Sequence, residues 1–86
     1  MKRQVILKIK FRGDDYLWLV LCKWGEQYVV WTYNRVAESY SSGHYFFSNQ
    51  RLEALCCFID TIKESKFLLI EDIEMVNEKL WCSICG

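Results

Sequence analysis

The sequence predicts an α+β domain in which an antiparallel sheet of three or four strands, in meander order, is followed by one or two packed helices. Three observations predict it. Residues up to Phe47 alternate in apolar character with a period of two, and residues after Asn49 repeat their apolar positions at helical spacing. Between the expected strands, Gly13-Asp14-Asp15 and Trp24-Gly25-Glu26 supply the chemistry of tight turns. The 86 residues are of a size for one domain, 1–86, with no internal repeat or low-complexity segment.

In the first strand Val5, Leu7, Ile9 and Phe11 alternate with Ile6, Lys8, Lys10 and Arg12, which gives one apolar side and one basic side. Tyr16 to Lys23 and Gln27 to Asn34 follow as the second and third strands. Arg35 to Ser42, with Ser39, Ser41 and Ser42, reads as a mobile loop, and His44 to Phe47 as a short fourth strand. Ser48 or Asn49 is placed to cap a helix by accepting a backbone N–H. On that helix Leu52, Leu55, Cys56, Ile59 and Ile62 share a face, so Leu55 and Ile59 are the expected core positions. Leu69, Ile73, Val76 and Leu80 repeat the helical spacing and predict a second helix, although Phe67 to Ile70 alone also suits a strand.

Turn length constrains register. A loop of Gly13 to Asp15 pairs Arg12 with Tyr16, which puts Leu17, Leu19 and Leu21 on the side of Val5, Leu7, Ile9 and Phe11. A two-residue turn at Trp24-Gly25 or Gly25-Glu26 then gathers Trp18, Val20 and Cys22 with Val29, Trp31 and Tyr33 on the opposite side, together with Lys8, Lys10 and Arg12. Both faces of the sheet are therefore expected to be apolar, and the second to be mixed basic and aromatic.

Composition narrows the functional classes. With 52% hydrophobic and 16% aromatic residues and no proline, the chain has the material of a packed core rather than of a disordered segment. Eleven basic and eleven acidic residues cancel, so any electrostatic function must come from a local patch. The apolar run behind Met1-Lys2-Arg3 is broken by Lys8, Lys10 and Arg12, so no export signal is expected. The longest apolar run, Leu17 to Cys22, is far short of the ~20 residues of a membrane span. A cytoplasmic location with reduced thiols follows as the expectation for the five cysteines.

The candidate surfaces divide by chemistry. Trp18, Trp31 and Tyr33 suit a protein interface, a homodimer contact or intramolecular core. Together with Lys8, Lys10 and Arg12 they also suit single-stranded nucleic acid, whose bases stack on rings while cations meet phosphates. On a helix, Glu71, Glu74 and Glu78 would form an exposed acidic stripe able to dock on a basic groove of a partner, or simply a solvated face. Cys82 and Cys85 have the spacing of half a zinc site, but Cys22, His44, Cys56 and Cys57 offer no second matched pair, so neither metal nor cofactor is expected. The single histidine, His44, stands in no recognisable catalytic motif, and an enzyme is not expected.

The run Tyr28-Val29-Val30-Trp31-Thr32-Tyr33-Asn34, the segment Gly43-His44-Tyr45-Phe46 and the Ala54 to Phe58 part of the helix resemble small proteins carried by bacteriophages and mobile elements. The resemblance implies a stoichiometric inhibitor of host machinery, of which anti-CRISPR proteins are the best-known group, acting on a host protein or nucleoprotein complex in the host cytoplasm. That group shares no common site, so the resemblance assigns no residue a role.

Overall fold

Turn chemistry and hydrophobic alternation shape the first half of the chain as expected. The structure, a computed structural model, describes residues 2–85, the side chains of Ser83 and Cys85 excepted. Strands β1 (Arg3–Lys10), β2 (Leu17–Trp24), β3 (Gln27–Asn34) and β4 (Ser39–Phe47) form an antiparallel meander. Helix α1 (Arg51–Glu64), a 3-10 turn (Ile70–Asp72), strand β5 (Glu74–Met75) and helix α2 (Glu78–Cys85) complete the order. The sheet has five strands in the order β4-β3-β2-β1-β5, against the three or four expected. The added strand is the two-residue β5 on the β1 edge. No helix among the described residues is long and apolar enough to cross a membrane.

The register agrees with the turn lengths. Lys10 faces Trp18 and Lys8 faces Val20, while a two-residue turn at Gly25-Glu26 pairs Trp24 with Gln27, Val20 with Trp31 and Trp18 with Tyr33. Gly25 has φ 64°, the left-handed conformation that tight hairpins assign to glycine. Two bulges alter the pattern. Between Val5 and Leu7 the ladder skips Ile6, so Val5 faces Cys22 and leaves the side of Leu7 and Ile9, contrary to the simple alternation. Ile6 and Leu7 are consequently both buried in the same core. The second bulge sets Ser42 and Gly43 opposite Trp31, with Ser42 at φ 56°.

The segment Arg35 to Ser42 is a tight turn running into a strand, not a loop. Asn34 Oδ1 accepts the amides of Val36 (3.0 Å) and Ala37 (2.9 Å), an Asx turn that starts β4 at Ser39 rather than at His44. Tyr40 thereby becomes a strand residue opposite Tyr33.

Helix α1 packs on one face of the sheet through Ala54, Phe58 and Ile62, which join Leu7, Ile9, Leu19, Leu21, Tyr28 and Val30. Its inward face is turned from the expected one: Leu55 and Ile59 are only half-buried, Cys56 is exposed, and Leu52 is 61% exposed. Small Ala54 lets the helix approach the strands, and Phe58 fills the space beneath it. Its first turn is not capped by Ser48 or Asn49; Gln50 holds the cap position, and its Oε1 turns back to accept the Phe47 amide at 3.0 Å.

The expected long second helix is replaced. Ile6, freed from the ladder, accepts the Val76 amide through its carbonyl at 2.7 Å, and Met75 pairs with Leu7, so this stretch becomes sheet edge. The helix starts only after Asn77, whose Oδ1 accepts the Leu80 amide at 3.2 Å. Ile84, Leu80 and Trp81 pack into the α1 core, so both helices lie on the same side of the sheet.

Candidate functional site

The side of the sheet away from the helices is built by strands alone. Val20, Cys22, Val29 and Trp31 are buried there, with Val5, Trp18, Trp24, Tyr33 and Tyr40 packed around them, and no helix side chain joins them among the described residues. Three of the four tryptophans stand on this open face. At its centre Trp31 is 4% exposed, with its ring centroid 4.5 Å from Tyr40, 5.5 Å from Trp24 and 5.9 Å edge-on from Tyr45. Its indole N–H donates to Cys22 Sγ at 3.5 Å. Gly43 lies against it: a Cβ there would stand 3.3 Å from the Trp31 ring and 3.1 Å from Tyr45.

Around this centre the rings become accessible. Trp18, Tyr33 and Tyr40 line a cleft of about 410 Å³ with Val20, Lys8 and Arg35. At the other end of the face Tyr45 is 54% and Phe47 72% exposed. Phe47 lies by Trp24 and Gln27 in a second, apolar hollow. Burial among these rings raises the Tyr40 hydroxyl above its ordinary pKa.

Lys8 and Lys10 of the basic row face this surface as expected, whereas Arg12 lies past the end of β1 beside the 3-10 turn, and all three are ion-paired. Lys8 pairs with Glu74 across β1 and β5 at 3.6 Å and also sits 4.6 Å over the Trp18 ring. Lys10 meets Asp15 at 2.9 Å, and Arg12 meets Asp72 at 3.1 Å. The hydrogen bond from Lys10, with its charge, holds the Asp15 carboxyl below the usual aspartate value.

The acidic stripe does not form. Glu71 lies in the 3-10 turn, Glu74 in β5 and Glu78 at the start of α2, so helical spacing does not relate them, and Glu74 is taken up by Lys8. Of the predicted site residues, Trp18, Trp31, Tyr33, Lys8 and Lys10 thus come together on one face while Glu71 and Glu78 do not. Other residues of that face do not follow from the expected register: Tyr40 stands in what reads as a loop, Arg3 and Val5 lie behind the bulge, Trp24 stands where a turn is expected, and Tyr45 lies on the longer fourth strand.

No group of three or more His, Cys, Asp or Glu side chains converges among the described residues, and the Cys85 side chain lies outside them. His44 is exposed on β4. Cys22, Cys56, Cys57 and Cys82 are free thiols. Burial beneath Trp31 pushes the Cys22 thiol up, against the smaller effects of the indole hydrogen bond and Arg3. Brief treatment of the native protein with iodoacetamide is therefore expected to alkylate exposed Cys56 and Cys82 and to reach Cys22 only after unfolding. Peptide mass spectrometry reads the difference. Equal labelling of Cys22 and Cys56 would show that the ring cluster opens readily.

No family model matches the chain, and neither a curated protein nor a solved structure does. Function is accordingly read from the faces themselves.

Proposed function

We propose that the protein is a non-enzymatic binding module that seats a protein partner on the open aromatic face. One observation carries this: the face left uncovered by the helices is rich in tryptophan and tyrosine, while the lysines of β1 beside it, Lys8 and Lys10, are ion-paired with Glu74 and Asp15. An apolar, aromatic centre with a charged rim is the composition of protein interfaces, where such rings supply most of the binding energy. Single-stranded nucleic acid needs unpaired cations along its backbone path, and Lys8, Lys10 and Arg12 are spoken for. Stoichiometric inhibition is the form of action that best suits a small module of this kind. A bacterial defence nuclease is the target class suggested by the phage-protein resemblance.

The test compares wild type with a Trp18→Ala/Tyr33→Ala variant, both shown to be folded by their melting curves, in affinity purification from bacterial lysate. A protein recovered in near-equal amount with wild type and lost from the variant supports the reading. Equal recovery with both would remove this face as the site. A wild-type dimer in sedimentation that becomes monomeric in the variant would make a second copy of the chain the occupant instead. Salt-sensitive, tight binding of an oligothymidylate would replace the protein partner by nucleic acid.

A further inference from the structure

Three basic side chains of β1 stand at the open face: Arg3, Lys8 and Lys10. Lys8 and Lys10 are ion-paired. Arg3 is not: among the described residues it has no carboxylate within ion-pair distance and no side-chain hydrogen bond. Its guanidinium carbon instead lies 4.4 Å from the Tyr40 ring, 4.7 Å from Trp24 and 5.1 Å from Trp31. The bulge at Ile6 brings it there, by shifting the start of β1 onto the aromatic side.

Three rings hold this guanidinium by cation–π attraction, which does not consume its N–H donors. The side chain is exposed yet positioned, so little further ordering is needed when it meets an anion. Resting on the protein-binding reading above, we infer that Arg3 is an anion anchor that receives one carboxylate of the docked partner beside the aromatic centre. A single carboxylate fits better than a phosphate chain. Phosphates repeat along a strand, and the next cations along β1 are already neutralised.

The experiment is a titration of the isotopically labelled protein with benzoate and with its uncharged analogue benzamide, followed at the indole N–H signals of Trp18, Trp24 and Trp31. Benzoate is expected to bind about fivefold or more tightly than benzamide, and Arg3→Gln to reduce benzoate to the level of benzamide. Arg3→Lys should restore only part of the difference, since a point charge lacks the two-pronged geometry of guanidinium. A purely structural Arg3, holding the rings together, would alter the melting curve of Arg3→Gln without changing the ratio of the two ligands, and that result overturns the anchor. If benzamide binds as well as benzoate and Arg3→Gln changes neither, the anchor falls while the aromatic face stands as a docking surface. If neither ligand moves any of the three indoles, the face itself falls. Octathymidylate binding more tightly than benzoate, and lost in Arg3→Gln, would assign the anchor to phosphate and overturn the carboxylate.

Discussion

Replacing Phe58 with alanine is expected to cost about 3–5 kcal/mol, the range for removing a buried phenylalanine ring. Phe58 is fully buried where α1 meets Leu7, Ile9, Leu19, Leu21 and Val30, so the lost ring leaves a cavity walled by strands that cannot move inward. Small domains have only about 5–15 kcal/mol of total stability, and each kcal/mol lowers the midpoint of a chain this size by about 4–8 °C. Thermal and urea unfolding followed by circular dichroism should therefore show a fall of about 12 °C or more. Leu52→Ala on the same helix is the control: at 61% exposure it should change stability by no more than about 0.5 kcal/mol. A Phe58 variant as stable as the Leu52 variant would show that the helix does not present the face described.

Trp31→Ala is expected to have a comparable effect on the opposite side of the sheet, about 3–5 kcal/mol. The indole is buried among Trp24, Tyr40 and Tyr45, gives its N–H to Cys22 and supports Arg3, so its loss dismantles the packing that the open face has in place of a helix. Trp31→Phe keeps a ring and should recover most of the stability. The two variants distinguish a foundation from a contact. A folded Trp31→Ala protein with wild-type stability and no partner binding would make Trp31 a direct contact, whereas coupled loss of both assigns recognition to the accessible Trp18 and Tyr33 around it.

How far the sequence disclosed this arrangement varies from element to element. The lengths of the turns at Gly13-Asp14-Asp15 and Gly25-Glu26 were enough to set the pairing of β1, β2 and β3, and with it the meeting of Trp18, Trp31, Tyr33, Lys8 and Lys10. The bulge at Ile6 was harder to see, because a continuous Val5-Ile6-Leu7 run fits either side of a strand and only its burial reveals that Ile6 and Leu7 point into one core. Hydropathy favoured Leu52 over Ala54 on α1; the close approach of helix to sheet favoured the smaller residue. Leu69, Ile73, Val76 and Leu80 do have helical spacing, but the edge of β1 and the Ile6 carbonyl offered stronger partners than helix propagation did. Neutralisation of the basic row was illegible for a related reason: Glu74 and Asp72 reach Lys8 and Arg12 only through that tertiary contact.

That contact at Ile6 also governs the order in which parts of the protein come and go. Val76 and Asn77 bind the Ile6 carbonyl from the far end of the sequence, whereas β1 to β4 join neighbour to neighbour through short turns. Closing so long a loop costs more entropy than zipping adjacent hairpins, so the C-terminal segment is expected to dock after the meander has formed. By the same reasoning it is the segment expected to detach first in sub-global opening, which hydrogen exchange would read as weaker protection of the Val76 amide than of the β2 and β3 amides. The aromatic cluster lies on the other side of the sheet and is drawn from residues 3–47. Undocking of the C-terminal segment therefore leaves the ring packing in place but releases Lys8 from Glu74 and Arg12 from Asp72, so that segment governs the charge beside the open face rather than its aromatic centre.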